Sequence, residues 1–244
     1  MLSQTQEVKA CYRRNEWPAL AEPINVRVCF QKVGDLQFIS HLDLQRTLHR
    51  ILVRAGIPMW YTKGFNPHAK IVFSTPLSVG TQSVCEMVDI RIDRDMPCET
   101  IKTLLNNEVT DELRILDVYV PQTKFSDIAW AEYEIEFHEQ GIEDKISDID
   151  QFTSQTEIKT IKKTKSGEKE IDILPLIHTF AASVSKPGCV AIRAILRAGN
   201  DTHLNPELPI TVLKEKLGIL ASPNSWYTIM RKATYLEDGN TRFR

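Results

Sequence analysis

The chain has 244 residues, 42% of them hydrophobic and 25% charged, with a formal net charge of −2. This is the composition of a folded globular protein with room for one large or two small domains, and no apolar run approaches the length needed to cross a bilayer. The near-neutral balance excludes binding of polyanions through bulk charge, so any nucleic-acid contact would rest on a local basic patch.

The first residues lack the apolar stretch of a secretory signal, and a cytoplasmic protein without membrane association is expected. The cysteines, Cys11, Cys29, Cys85, Cys98 and Cys189, include no closely spaced pair. That argues against a zinc ribbon or an iron–sulfur cluster, and no metal ligands are assigned from spacing. Cys29 and Cys85 fall within predicted strands and are expected to pack as small thiols.

Residues 1–23 show little periodicity and read as an N-terminal extension. Over 24–33, Ile24, Val26, Val28 and Phe30 alternate with polar residues, the pattern of a half-buried strand. Gly34-Asp35 signals a turn, and 36–39 is expected to continue as a second short strand. Ser40 followed by Asp43 forms a helix cap. Leu44, Leu48, Ile51, Leu52 and Ala55 then recur at helical spacing as a buried stripe, and Gly56 stops the helix. Arg46, Arg50 and Arg54 follow one flank of it, with His41, Gln45 and His49 as a second polar row. A short strand is expected over 57–61, a loop over 62–70 and a strand over 71–73. A further strand covers 84–92 and sets Glu86 on an otherwise apolar face. Pro97 opens a second helix carrying Ile101, Leu104 and Leu105, and 113–120 is a strand.

The second half repeats the theme. A strand over 130–137 alternates Tyr133, Ile135 and Phe137 with glutamates, and a polar helix is expected over 142–152. A hairpin follows around Ser166-Gly167, then strands over 176–183 and 189–196. A helix over 209–217 stops at Gly218, and a strand over 227–236 completes the set. The predicted fold is α+β: two ferredoxin-like halves, each an antiparallel sheet with helices on one face. The domains expected are an extension at 1–23, a first domain at 24–121, a linker at 122–129 and a second domain at 130–244.

The loop over 62–70 is dense in chemistry. Gly64 permits a positive φ, and Pro67 stiffens the turn. Together they would present Lys63, Asn66, His68 and Lys70 to an anion or a base edge, with Tyr61 and Phe65 as stacking surfaces. The plainer alternative is a rigid turn whose Phe65 plugs the core and whose His68 bonds a carbonyl. The arginine row could follow a phosphodiester backbone or be only a solvated face. The lysines of the hairpin, Lys159 to Lys169, are interleaved with glutamates and read as a solvated surface. His41, His68 and Glu86 are expected at one end of the first sheet, where they could transfer protons or bind a metal. Arg46, Asn66, His68 and Glu86 are expected to converge on one open hollow. The phosphate-binding, dinucleotide-binding, nucleophile-elbow and zinc-protease motifs are all missing from the sequence.

The segments Ser40-His41-Leu42-Asp43, Gly64-Phe65-Asn66-Pro67-His68 and Pro76-Leu77-Ser78-Val79-Gly80 carry a resemblance. With Ser83, Glu86 and Asp89, and more loosely the Ile171-to-Ile177 and Met230-to-Ala233 stretches, the chain resembles the bacterial radical SAM-linked proteins. The resemblance spans most of the chain. It implies a context: a companion beside or fused to a cobalamin-binding radical S-adenosylmethionine protein. That partner would carry the iron–sulfur cluster, S-adenosylmethionine and cobalamin, and this chain would need no cofactor of its own.

The expected function is therefore a non-catalytic, substrate-presenting module, with RNA as substrate. Arg46, Arg50 and Lys63 would hold phosphates, and Tyr61, Gly64, Phe65, Asn66, His68 and Lys70 would shape the base-binding loop. Two alternatives stand beside it. One is a metal-independent endoribonuclease with His41 or His68 as general base, a reading by fold analogy to CRISPR repeat-processing enzymes. The other is a protein-only adaptor that docks through Leu42 and Val53.

Overall fold

Alternation in the first strand carries further than its pattern suggests. In the computed structural model, which describes residues 16–164, 167–199 and 201–244, strand β1 runs Ala19–Lys32. The extension read over 1–23 therefore lies in part outside the described residues, as does Cys11, while its last five positions belong to β1. Pro23 hides them: it lacks an N–H, breaks the periodicity and coincides with a register shift between Ala19 and Ile24.

The described chain divides at Thr123/Lys124 into two units, the first also holding Arg244. In the first unit, β1 is followed by helix α1, His41–Arg54, strands β2, Ile71–Phe73, and β3, Thr81–Arg94, helix α2, Cys98–Asn106, and strand β4, Ile115–Tyr119. Its strands lie in the order β4-β1-β3-β2 with every pair antiparallel. This is the βαββαβ order of a ferredoxin-like unit. Val26, Val28 and Phe30 from β1 and Val88, Ile90 and Ile92 from β3 pack with Leu44, Leu48, Ile51 and Leu52 of α1 and Ile101 and Leu105 of α2. Each such side chain contributes about 1.5–3 kcal/mol when fully buried, so the stripe outweighs the cap that starts α1. At that cap, Asp43 N–H donates to Ser40 Oγ at 3.1 Å, and the hydroxyl donates to Asp43 Oδ2 at 2.7 Å. The hydroxyl thereby holds the Asp43 carboxyl below the ordinary carboxylate range.

Two short elements differ from expectation. Residues 36–39 are not a strand: Gly34–Phe38 forms a 3-10 turn, and its Leu36 and Gln37 carbonyls accept from Lys32 Nζ at 3.4 and 3.2 Å. Residues 57–61 hold only the isolated bridges Met59↔Ile92 and Tyr61↔Ala69, because Pro58 has no N–H to offer a ladder.

The second unit contains β5, Trp130–His138, a short helix α3, Ile146–Asp150, and a separate hairpin of β6, Lys159–Thr164, with β7, Gly167–Asp172. Strands β8, Ile177–Lys186, and β9, Cys189–Arg197, helix α4, Glu207–Leu217, and strand β10, Trp226–Tyr235, complete it. Its strands follow the order β10-β5-β9-β8, again antiparallel. The order is that of the first unit, with the β6–β7 hairpin inserted after the first helical segment. The polar helix read over 142–152 is interrupted: α3 is flanked by 3-10 turns at Ile142–Lys145 and Gln151–Ser154, with Ile142, Ile149 and Phe152 holding it to the core. Ser166 at the hairpin tip lies outside the described residues. The stretch 122–129 is ordered, with Phe125–Asp127 in a 3-10 turn and Ile128 and Ala129 buried.

On the reverse face of the first unit's sheet, Arg27 is fully buried. It donates to both oxygens of Asp89, at 2.7 and 2.9 Å, and to Thr123 Oγ1 and O at 2.9 and 3.0 Å. Burial opposes the charge, but the Asp89 carboxylate outweighs it and raises the Arg27 pKa. Truncation of Asp89 to Ala strands a buried guanidinium, and a loss of about 3–5 kcal/mol is expected in chemical denaturation. The double variant Arg27→Met/Asp89→Leu should recover much of it. A loss below about 1 kcal/mol for Asp89→Ala would show the pair to be solvent-screened.

Burial also pushes the Tyr227 phenol, which donates to Glu207 Oε2 at 2.8 Å, up to about 12. Tyr119 is pushed up to about 12 as well, first by burial. The folded state thus favours the neutral phenols: their contribution is complete below the unfolded value near pH 10 and is lost as pH rises towards about 12. Stability measured by urea denaturation should fall across that window, less steeply in Tyr227→Phe; an unchanged slope in that variant would contradict the assignment.

Candidate functional site

The inward face of β1 ends on a charge. Counting by twos from Val26, through Val28 and Phe30, reaches Lys32, which is 2% exposed. Across the ladder Glu86 pairs with Phe30 and is 5% exposed. Both line one small cavity with Ile39, His41, Leu44, Phe73 and the 74–77 segment. Its volume is about 10 Å³, about the room one water molecule needs. Burying a charge costs several kcal/mol unless it is paired or hydrogen-bonded, and the Lys32 ammonium offsets that cost by donating to the Leu36 and Gln37 carbonyls.

Three motif segments meet here. His41 at the start of α1 reaches the rim, its ring edge-on to Phe73 at 5.2 Å and its Nε2 2.9 Å from Gln45 Nε2. The turn before β3 closes the far side: Gly80 donates to Gln37 O at 2.9 Å, and its φ of +87° is one that glycine adopts without strain. Ser83, fully buried, accepts from Cys85 N–H at 3.2 Å. His41 and Glu86 are thus brought to one cavity, as their placement on one end of the sheet requires. His68 is not there, and His41, His68 and Glu86 form no metal-sized group. The cavity accommodates an ordered water or a proton path, not an organic substrate.

The loop over 62–70 stands apart from this cavity and is tied at its base. Thr62 N–H donates to His68 O at 3.0 Å, His68 N–H donates to Thr62 Oγ1 at 3.1 Å, and Thr62 Oγ1 lies 3.1 Å from His68 Nδ1. Above this base the tip projects into solvent, turned by Gly64 at φ +145°. Lys63, Asn66, His68 and Lys70 are exposed. Phe65 has a relative exposure of 112%, and Tyr61 37%. The core-plug alternative for Phe65 is thereby excluded, whereas His68 does sit near a carbonyl, Asn66 O, at 3.3 Å.

The arginine row is divided. Arg54 is held at the end of α2 by Glu108, through Nε to Oε2 at 3.1 Å and Nη2 to the carbonyl at 2.9 Å. Arg46 makes an exposed pair with Asp43 at 3.3 Å, an interaction worth little in solvent. Arg46 and Arg50 line an open groove of about 350 Å³ with Leu42, Gln45 and His49. The one hollow expected for Arg46, Asn66, His68 and Glu86 therefore resolves into a closed cavity, a helix groove and a loop tip. Lys32 is the site residue the sequence reading overlooked. Its signal was present, since the alternation of β1 continued to it on the apolar face.

Residues 25–206 match the family model described as an uncharacterized protein conserved in bacteria, DUF2344. The chain belongs to that family, and the matched region contains the cavity, the groove and the loop. No curated protein matches the chain.

The two kinds of site residue separate in a stability measurement. Phe65→Ala removes no buried surface and should leave the unfolding free energy within about 0.5 kcal/mol of the parent. Lys32→Met removes a buried ammonium and takes the donor from the Leu36 and Gln37 carbonyls, and should cost about 1–3 kcal/mol. Equal effects of the two substitutions in thermal or urea unfolding would refute this division.

Proposed function

We propose, with membership of this bacterial family as premise, that the chain is a non-catalytic accessory module that presents RNA to a cobalamin-binding radical S-adenosylmethionine protein. The observation that carries the RNA reading is Phe65, an aromatic side chain wholly in solvent on a glycine-turned tip between exposed Lys63 and Lys70. Exposure of an aromatic forgoes about 1.5–3 kcal/mol of burial, a cost that base stacking would offset at about 1–3 kcal/mol per base. Tyr61, Asn66 and His68 add a second ring surface and base-edge hydrogen bonds. Arg46, Arg50 and Lys63 supply the cations for phosphates. The partner named in the proposal comes from the motif resemblance, and the iron–sulfur, S-adenosylmethionine and cobalamin chemistry would be the partner's.

The endoribonuclease alternative draws less support. The Nδ1 of His68 lies against Thr62, and Glu86 is buried in a cavity with room for about one water. The adaptor alternative has an observation of its own. Phe38, Leu42 and Val79 of the first unit are 63%, 54% and 60% exposed, and the segments bearing Phe38 and Val79 are joined by the Gly80-to-Gln37 hydrogen bond. Scattered apolar side chains are common on surfaces; three on adjoining segments suit a protein partner.

Fluorescence anisotropy of the full chain with single-stranded RNA across a salt series decides between the readings. Binding should weaken with salt, with a slope near −2 on logarithmic axes for three phosphate contacts at about 0.7 each. Phe65→Ala should weaken it by about ten- to a hundredfold. No binding at low salt would refute RNA presentation, and a complex with the radical enzyme that survives nuclease treatment would then favour the adaptor.

A further inference from the structure

On the face of the second unit's sheet turned away from its core, β5 and β9 bring together Glu136, His138 and Cys189. Glu136 and His138 are two residues apart on β5 and share that face. Cys189 stands opposite His138 in the β5–β9 register. Their chain neighbours Ile135, Phe137 and Val190 point into the core. One ligand atom from each of the three lies within 4.8 Å of the others.

Further observations mark the group as more than a packing contact. His138 Nε2 is buried and makes no hydrogen bond among the described residues, although Glu136 Oε2 lies 3.5 Å away. An unsatisfied buried nitrogen costs about 1–3 kcal/mol. The imidazole is held in plane by stacking on Trp226, with centroids 3.7 Å apart and 12° between planes. The Cys189 sulfur, fully buried, accepts from Ser185 Oγ at 3.0 Å, a donor suited to a thiolate.

We propose that Glu136, His138 and Cys189 form a site for one divalent transition metal of the zinc class. A thiolate and an imidazole favour zinc or cobalt over magnesium or calcium, and the carboxylate completes three protein ligands with a fourth position open. Bond lengths of about 2.0–2.3 Å set ligand separations near 3.5 Å, so side-chain rotations of about 1 Å close the group on the ion. The Cys189 thiol gives its proton to solvent as the sulfur–metal bond forms, and His138 binds as neutral imidazole. An open depression of about 510 Å³, formed by the 139–143 and 187–188 segments and Trp226, reaches His138 and supplies an entry path.

The test is cobalt titration of the full chain after chelator treatment. One equivalent of Co²⁺ should produce a thiolate-to-metal charge-transfer band with tetrahedral visible bands, and Zn²⁺ should bleach both. Cys189→Ser should abolish the charge-transfer band with the circular dichroism unchanged. Glu136→Gln, at a half-exposed position that tolerates change, should weaken binding by about tenfold or more. No saturable band in the parent protein overturns the site, as does a band that survives Cys189→Ser and therefore arises from another cysteine. Should Cys189→Ser fail to fold, Glu136→Gln decides: unchanged cobalt affinity overturns the assignment, and weakened affinity with the band retained supports it.

Discussion

A β-strand turns every second side chain to the same face, and in β1 and β3 that rule runs past the apolar core to a charge on each strand. Val26, Val28 and Phe30 lead to Lys32, and Ile92, Ile90 and Val88 lead to Glu86, so register brings opposite charges under the start of α1. Neither can leave the core without shifting its strand by one residue, which would expose the whole apolar set. The 3-10 turn at Gly34–Phe38 follows from the same constraint, since its carbonyls receive the Lys32 ammonium. The Ser40-to-Asp43 and Pro76-to-Gly80 segments each send one side chain to the same cavity, His41 and Leu77.

The reverse face of the same strands obeys the complementary parity. Arg27 and Asp89 occupy opposed positions there and exchange a two-point ion pair. A sheet with buried charges at defined register on both faces is costly to mispair, because a slip would part Arg27 from Asp89 and Lys32 from its carbonyls. Charge thus works here as a register device, a role distinct from the exposed charges of α1 and the loop tip. Those exposed groups contribute little to folding.

The second unit uses the same strand order, with the β6–β7 hairpin added where the first unit has only a loop. Its alternation also separates the two faces of the sheet. Tyr133, Ile135 and Phe137 pack inward, while Glu132 binds Arg193 at 2.7 Å and Glu136 and His138 approach Cys189 on the other face. The Glu132 carboxyl is held below its ordinary range first by the hydrogen bond from Arg193, which keeps that part of the face ionised and paired. At the end of β5 the Nε2 of His138 lies 3.5 Å from Glu136 Oε2 and makes no hydrogen bond among the described residues.

The sequence by itself determined the α+β class, α1 with its Ser40 cap and Gly56 stop, the inward sets of β1, β3 and β5, and the place of Glu86 on an apolar strand face, because these depend on periods of 2 and 3.6 residues and on local capping. The same local rules were blind to partners distant in the chain. They read a strand over 36–39 where the turn begun at Gly34 continues and receives Lys32, they missed the start of β1 beyond Pro23, and they gathered Arg46, Asn66, His68 and Glu86 into one hollow that does not exist. Only the tertiary structure decided that Glu86 and Lys32 line one small cavity, that Phe65 stands in water and that Cys189 meets His138. Each of those outcomes depends on strand register and loop closure, in which residues far apart in sequence acquire their neighbours only when the sheet forms.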